Sequence, residues 1–245
     1  MQGEGRQAAS VTLAVTVSTA IAPTRHASAP HRSRLPDWWG WAVVGLIALV
    51  ALLTWLPAAD LPLGDSNEGR ILARLAIQAR NFWELGPVES AWGSSMIPFH
   101  FGGNYAHHPP LTNFAQIAVA GALGQDEWQI RLFGYLNGLA TLVLIPVLLR
   151  TLRVGWSATL LATGALAVTP MFWMYGRVGG GFALIAGLAA LVVYLRRTPA
   201  PSAWMIVLGA LVTAATVMLS WVAAATAALF WVWLVWARRL DRVSI

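Results

Sequence analysis

The sequence contains no cysteine and no lysine, and only 11% of its 245 residues are charged. The absence of cysteine excludes disulfides, thiolate metal ligands and a cysteine nucleophile. Soluble domains usually have about a quarter of their residues charged, whereas this chain is 58% hydrophobic with a mean hydropathy of +0.63. The composition therefore predicts an integral membrane protein.

The net charge of +6 comes entirely from arginine. The arginines cluster at the ends of apolar runs, and no soluble segment interleaves basic and aromatic residues. This pattern is typical of membrane orientation and not of nucleic-acid binding. Membrane lipids are therefore expected partners, and nucleic acid is not.

The apolar runs predict an all-α integral membrane fold with about six transmembrane helices, since a span needs about 20 apolar residues. The last run is too long for one helix and is divided near Ser220. The predicted spans are residues 38–56, 132–149, 156–175, 181–195 and the two halves of 204–236.

The arginine clusters predict how these spans are oriented. Arginine clusters precede the first span and follow the second, fourth and sixth, so one side of the membrane receives all of these clusters, which predicts that this side is cytoplasmic. We expect a multi-pass protein of the cytoplasmic (inner or plasma) membrane with both termini inside and an outer loop at residues 57–131. Residues 1–36 are predicted to be a disordered cytoplasmic tail preceding a membrane module at 37–245. A signal-peptide core at residues 11–22 is the alternative, but that run is rich in Thr and Ser and no cleavage site follows it.

Two helices are expected in the outer loop. Residues 111–124 are apolar but short for a span, which predicts a juxtamembrane or re-entrant helix. Residues 69–83 predict an amphipathic helix on the membrane surface. Its apolar face would carry Leu72, Leu75, Ala76, Ala79, Phe82 and Trp83, and its polar face Arg70, Arg74, Gln78 and Asn81.

The same loop contains two polar motifs, GDSNEGR at residues 64–70 and NYAHHPPL at residues 104–111. Charged groups are costly in hydrocarbon, so side chains that perform chemistry lie in cavities or in water-facing loops. From residue 132 to residue 236 there is no Asp, Glu, Lys or His, which argues against an ion-coupled transporter. The outer loop is therefore the predicted functional face.

The order of these motifs resembles a known family. An apolar anchor, the acidic motif, a helix ending in ARN (residues 79–81), Tyr105 with HPPL (108–111) and the pattern Gly124, Glu127, Trp128, Arg131, Leu132 follow one another. This order is similar to the amino-terminal module of polyprenol-phosphate-sugar-dependent glycosyltransferases of the type C fold, such as protein O-mannosyltransferases and lipid A aminoarabinose transferases. The resemblance implies transfer of a sugar from a polyprenyl-phosphate donor to a lipid, glycan or protein acceptor at the outer face of the membrane.

Such a transfer requires a carboxylate that accepts the proton of the acceptor hydroxyl. Asp65 and Glu68 occupy the matching place, and Asp65 is the first choice for the base. The alternative is a structural role, in which Asp65 or Asn67 caps the helix and Glu68 favours its first turn electrostatically.

The departing phosphate requires a cationic group or a metal ion. His107 and His108 precede the Pro-Pro-Leu turn, where relatives often have a basic residue, and a divalent metal is an open possibility. Arg131 and Arg177 are further candidate phosphate ligands. Each has a structural alternative: the histidines bond to the loop backbone, Arg131 pairs with Asp126 or Glu127, and the glycines after Arg177 form a loop without a ligand.

The chain departs from the family in two respects. Glycines at 179–181 replace a second acidic residue that relatives often have after the third span. The chain is also shorter than such relatives, so we expect a module truncated at its C-terminus, part of a split protein or a degenerate copy. A non-catalytic membrane protein that binds lipid or a partner, or a transporter-like bundle, is the alternative function.

Overall fold

The computed structural model describes residues 37–64, 66–94, 110–178 and 181–243, and the predicted tail at 1–36 lies outside these ranges. Within the described ranges the chain forms nine α-helices and two short 3-10 turns, and no strand. The helices are α1 (Asp37–Trp55), α2 (Asn67–Leu85), α3 (Leu111–Leu123), α4 (Glu127–Thr151), α5 (Trp156–Ala167), α6 (Pro170–Tyr175), α7 (Phe182–Arg197), α8 (Ala203–Val217) and α9 (Trp221–Val243), and the turns are Leu56–Ala58 and Gly176–Val178. The all-α prediction is confirmed.

The predicted number of six spans is wrong. Among the described helices, only Asp37–Ala58 and Glu127–Thr151 are long and apolar enough to cross a membrane alone. Trp156–Ala167 and Pro170–Val178 would make a third span if this pair, bent by 64°, crosses as one unit. The helices α7 and α8 have 16 and 15 residues, or about 23 Å each at 1.5 Å per residue, which is less than the hydrocarbon thickness of about 30 Å. The predicted break near Ser220 does occur, between α8 and α9.

The helices α1 and α4 run antiparallel, and this arrangement defines two ends of the bundle. At one end, Asp37 accepts a hydrogen bond from Trp156 Nε1 at 2.7 Å and lies 3.5 Å from Arg150 Nη2. The Arg197 guanidinium donates to the main-chain oxygen of Thr151 at the same end. We call this the basic end, because the arginine clusters at 150–153 and 196–197 meet there.

We call the opposite end of the bundle the motif end. It contains α2, α3 and a packed core next to them. Tyr135 of α4 donates a hydrogen bond to the main-chain oxygen of Trp55 at 3.1 Å. Trp55 and Tyr135 are buried with Phe172 of α6, so α1, α4 and α6 meet at this point.

The structure confirms a helix at the predicted amphipathic segment but corrects its polar face. Leu72, Leu75 and Ala79 are buried as expected, but Gln78 is only 1% exposed and Asn81 is also buried. Gln78 Nε2 donates to the Ser94 carbonyl at 3.3 Å, because the turn after α2 folds back over this side of the helix. Conversely, Trp83 is 55% exposed, with its indole nitrogen donating to the Ile117 carbonyl of α3.

The predicted short helix is α3, with 13 residues. It packs against α2 through Ile117 and Ala120, which are buried with Ala79. Because part of its surface is covered by α2 and part by α4, α3 belongs to the packed motif end.

Candidate functional site

The start of α2 positions the first candidate carboxylate. Ser66 is the N-cap, and its hydroxyl oxygen accepts a hydrogen bond from the Gly69 amide at 3.0 Å. The capping role considered for Asp65 or Asn67 is therefore filled by Ser66. Asp65 lies outside the described residues, so the structure shows the position of the cap beside it and nothing of its own side chain.

Glu68, in the first turn of α2, forms an ion pair with Arg177. The Glu68 Oε2 and Arg177 Nη2 atoms are 2.8 Å apart, and the two side chains are only 17% and 15% exposed. Charge-assisted hydrogen bonds of this length are strong, and burial reduces the screening of the pair by water. The pair joins residues that are 109 positions apart in sequence, so it fixes α2 against the turn that follows α6.

The Arg177 guanidinium is held on a second side by Trp173. Its Nε donates to the Trp173 carbonyl at 2.6 Å, and its central carbon lies 5.6 Å from the Trp173 ring centroid. A cation at this distance is attracted by the aromatic ring. Glu68 of α2 and Trp173 of α6 thus set the direction of the guanidinium.

A cleft of about 250 Å³ opens beside this pair. Its wall consists of Ser66, Glu68, Pro170, Trp173, Met174 and Arg177. It therefore combines a carboxylate, a guanidinium and an indole with Ser66, the residue that follows Asp65 in the sequence. A carboxylate, a cation and an aromatic face together suit a sugar linked to phosphate, because the sugar offers hydroxyls and C–H faces and the phosphate offers anionic oxygens.

Two glycines of α4 allow the backbone of the Gly176–Val178 turn to approach the helix closely. A Cβ atom at Gly134 would collide with the Arg177 carbonyl oxygen, and one at Gly138 would lie 3.0 Å from the Gly176 oxygen. Only the missing side chains allow this backbone approach. The position of Arg177 therefore depends on α4 as well as on α6.

Tyr135 connects the cleft with an apolar groove between α1 and α4. Its hydroxyl is within electrostatic range of Arg177, Arg131 and Glu68, and it also lines the groove, which has a volume of about 600 Å³. The groove has mostly aliphatic walls, with Asp60 and Trp128 near its mouth. Tyr135 therefore lines the apolar groove and interacts electrostatically with the ion pair of the cleft.

Arg131 bonds to main-chain oxygens and not to the carboxylates considered from the sequence. It is only 6% exposed and donates to the main-chain oxygens of Ala59, at 2.8 Å, and Glu127, at 3.4 Å. Within the described residues it forms no ion pair with Asp126 or Glu127. Its observed contacts instead tie the end of α1 to α4.

The remaining predicted ligands fall in the ranges that the structure does not describe. His107 and His108 belong to residues 95–109, and Gly179 and Gly180 of the glycine loop follow Val178. In the described part of the chain, no group of three His, Asp or Glu side chains is placed to hold a metal ion. The described glycine of that loop, Gly181, has φ of +78°, a left-handed conformation that starts α7.

Three residues of the site were not singled out from the sequence: Ser66, Tyr135 and Trp173. A serine two residues before Glu68 is an ordinary N-cap signal, and Trp173 precedes Arg177 by four positions, the spacing of neighbours on a helix. Tyr135 had no such local signal, because its importance comes from contacts across the bundle.

Comparisons of the chain with protein-family models, with curated proteins and with solved structures found no match.

Proposed function

We propose that the chain transfers a sugar from a polyprenyl-phosphate donor to an acceptor hydroxyl at the motif end of the bundle. The observation that carries the proposal is the partly buried Glu68–Arg177 pair in a cleft with the Trp173 indole and with Ser66, the residue that follows Asp65 in the sequence. The motif order of the outer loop is the second support.

In the proposed reaction, the acceptor oxygen forms a bond to the anomeric carbon while the bond from that carbon to the phosphate oxygen breaks. Asp65 takes the proton of the acceptor hydroxyl, and the polyprenyl phosphate leaves with the bonding electrons. Arg177 stabilises the charge that develops on the phosphate. Glu68 is a positioning residue, because its carboxylate holds the guanidinium in the cleft.

The groove beside Tyr135 suits the hydrocarbon tail of such a donor. It is lined by leucines of α1 and α4 and lies next to the charged cleft. Burial of a polyprenyl tail there would place its phosphate near Arg177. In the proposed orientation the motif end faces the outer side of the membrane and the basic end faces the cytoplasm, as the clustering of arginines favours.

A transfer assay with single variants tests this function. The full chain is reconstituted with a radiolabelled polyprenyl-phosphate sugar and a mixture of lipid and peptide acceptors, and labelled product is measured. Asp65→Asn should abolish transfer, since an amide does not accept the proton. Arg177→Gln should weaken donor use about 10- to 100-fold, the loss expected for one hydrogen bond to a charged group, and His108→Ala should weaken it less.

Two controls separate catalysis from helix capping. Ser66→Ala removes the observed cap and should lower stability by about 1 kcal/mol while transfer by the folded fraction persists. Glu84→Gln breaks an exposed ion pair with Arg80 on the same helix and should leave transfer unchanged.

Transfer by Asp65→Asn at the wild-type rate would refute the role of this carboxylate. A folded wild-type chain that binds the donor without transferring its sugar would support the alternative of a non-catalytic lipid-binding membrane protein.

A further inference from the structure

A second apolar groove runs along α7 from Ala183, near its start, to Tyr194, close to the basic end. The helices α4 and α8 each pack against α7, and the groove lies between them. The groove has a volume of about 380 Å³. Small side chains form its floor on α7, namely Ala183, Gly187 and Ala190, and Leu144 of α4 forms one wall.

The length of this groove matches one membrane leaflet. Its α7 residues run from Ala183 to Tyr194, which is eleven steps, or about 17 Å at 1.5 Å per residue. Half of a hydrocarbon core is about 15 Å. A single acyl tail of a phospholipid therefore fits the groove, whereas a polyprenyl chain is much longer than one leaflet.

The groove opens at the basic end. Thr151 and Tyr194 line its mouth, and Arg197 donates a hydrogen bond to the Thr151 carbonyl. Arg153, which is exposed, follows Thr151 by two residues.

The charges at this end are unbalanced. The described side chains there include four arginines and one carboxylate, that of Asp37, which contacts Arg150 and Trp156. The arginines are Arg150, Arg153, Arg196 and Arg197. Arg150 is paired with Asp37, whereas Arg153 and Arg197 form no ion pair among the described side chains, so both guanidiniums can meet an anionic group near the mouth of the groove.

We propose that this groove binds one anionic diacyl phospholipid, with an acyl tail along α7 and the headgroup phosphate at Arg153 and Arg197. Basic pockets between membrane helices recognise anionic headgroups through the same combination of tail burial and charge. The site is separate from the proposed donor site and does not depend on sugar transfer.

Native mass spectrometry of the purified full chain, released from micelles that contain phosphatidylglycerol or phosphatidylcholine, tests the proposal. The wild type should retain one phosphatidylglycerol in preference to phosphatidylcholine, and retention should fall as ionic strength rises. The double variant R153Q/R197Q should bind about 25-fold more weakly, since each arginine near an anionic surface contributes about a fivefold factor.

Matched variants separate tail from headgroup recognition. Gly187→Leu fills the groove, because a Cβ atom there is already 3.5 Å from Leu144, and it should abolish retention. Gly45→Leu, at an exposed position of α1 with no neighbour within 4 Å, and Arg80→Gln at the motif end should both retain the lipid.

Equal retention of the two lipids, or equal loss in R80Q and R153Q/R197Q, would overturn the proposal. Displacement of phosphatidylglycerol by stoichiometric polyprenyl phosphate would overturn the assignment to a diacyl lipid. A lipid-free dimer that is lost in Gly187→Leu would show that a second copy of the chain covers the groove.

Discussion

At the residue scale, α2 takes part in two ion pairs, one to the turn after α6 and one within the helix, and the two pairs differ in their exposure to water. Glu68–Arg177 is largely buried, whereas Arg80 and Glu84, four residues apart at 3.8 Å, are 46% and 62% exposed. Water and salt screen the exposed pair, and its long side chains lose entropy when they are held together. The Glu68–Arg177 pair is partly shielded from water, and Trp173 holds the guanidinium through its carbonyl oxygen and its ring.

We therefore expect the two pairs to differ in a double-mutant cycle. Glu68→Gln and Arg177→Gln should show a coupling energy of about 2 kcal/mol, the range for hydrogen bonds to charged groups. Glu84→Gln and Arg80→Gln should show about 0.3–0.5 kcal/mol or less. The measurement is reversible unfolding in detergent, and similar coupling in both cycles would contradict the packing described for Arg177.

At the element scale, the close approach of α4 to the turn at Gly176–Val178 sets the position of the cleft. Gly134 and Gly138 leave room for this backbone, and the side of α4 that carries them also carries Tyr135. The site is thus assembled by helix packing, not by a loop alone.

Gly134→Ala should destabilise the protein by about 1–3 kcal/mol, because the added methyl overlaps the Arg177 carbonyl in a packed region. It should also weaken donor use, since Arg177 moves with its backbone. Gly45→Ala is the control: alanine has a higher helix propensity and meets open space there, so stability should rise by up to about 1 kcal/mol. Thermal unfolding measures both effects, and a loss of the same size in both variants would show that the contact at Gly134 is unimportant.

At the scale of the whole molecule, the two ends differ in charge and in chemistry. Arginines of the clusters at 150–153 and 196–197 share the basic end, although those clusters come from different parts of the chain. Because arginine is enriched on the cytoplasmic side of membrane proteins, we predict that the basic end faces the cytoplasm and the motif end faces the outer side.

The orientation is testable because the chain contains no native cysteine. A cysteine at Glu89, which is exposed in the turn after α2, should react with a membrane-impermeant thiol reagent added to intact cells. A cysteine at Ser157, exposed in the first turn of α5 at the basic end, should react only after the membrane is opened. The reverse pattern would place the basic end outside and would contradict the proposed orientation.

Much of the secondary structure was predictable from the sequence, because local patterns determine where helices form. Apolar runs, the 3.6-residue period of α2 and the polar break at Ser220 identified helices with bounds close to those observed. The predicted number of spans was wrong because the bend after Ala167 divides one apolar run, and because α7 and α8, although located correctly, are too short to cross a membrane alone.

The identity of the candidate residues was partly in the sequence, but their relations were decided by the tertiary structure. Glu68 and Arg177 are recognisable as charged groups next to apolar segments, yet nothing local pairs residues 109 positions apart. The periodicity of α2 predicted that Gln78 would face water, and the turn at Ser94 buried it instead. A pair between Arg131 and a neighbouring carboxylate was the structural alternative, and the position of Ala59 gave the guanidinium a carbonyl oxygen instead. Sequence alone determined the helical, membrane-type character of this protein, because that character follows from composition and periodicity. Packing between distant helices decided which polar groups meet, because those contacts exist only when the chain is folded.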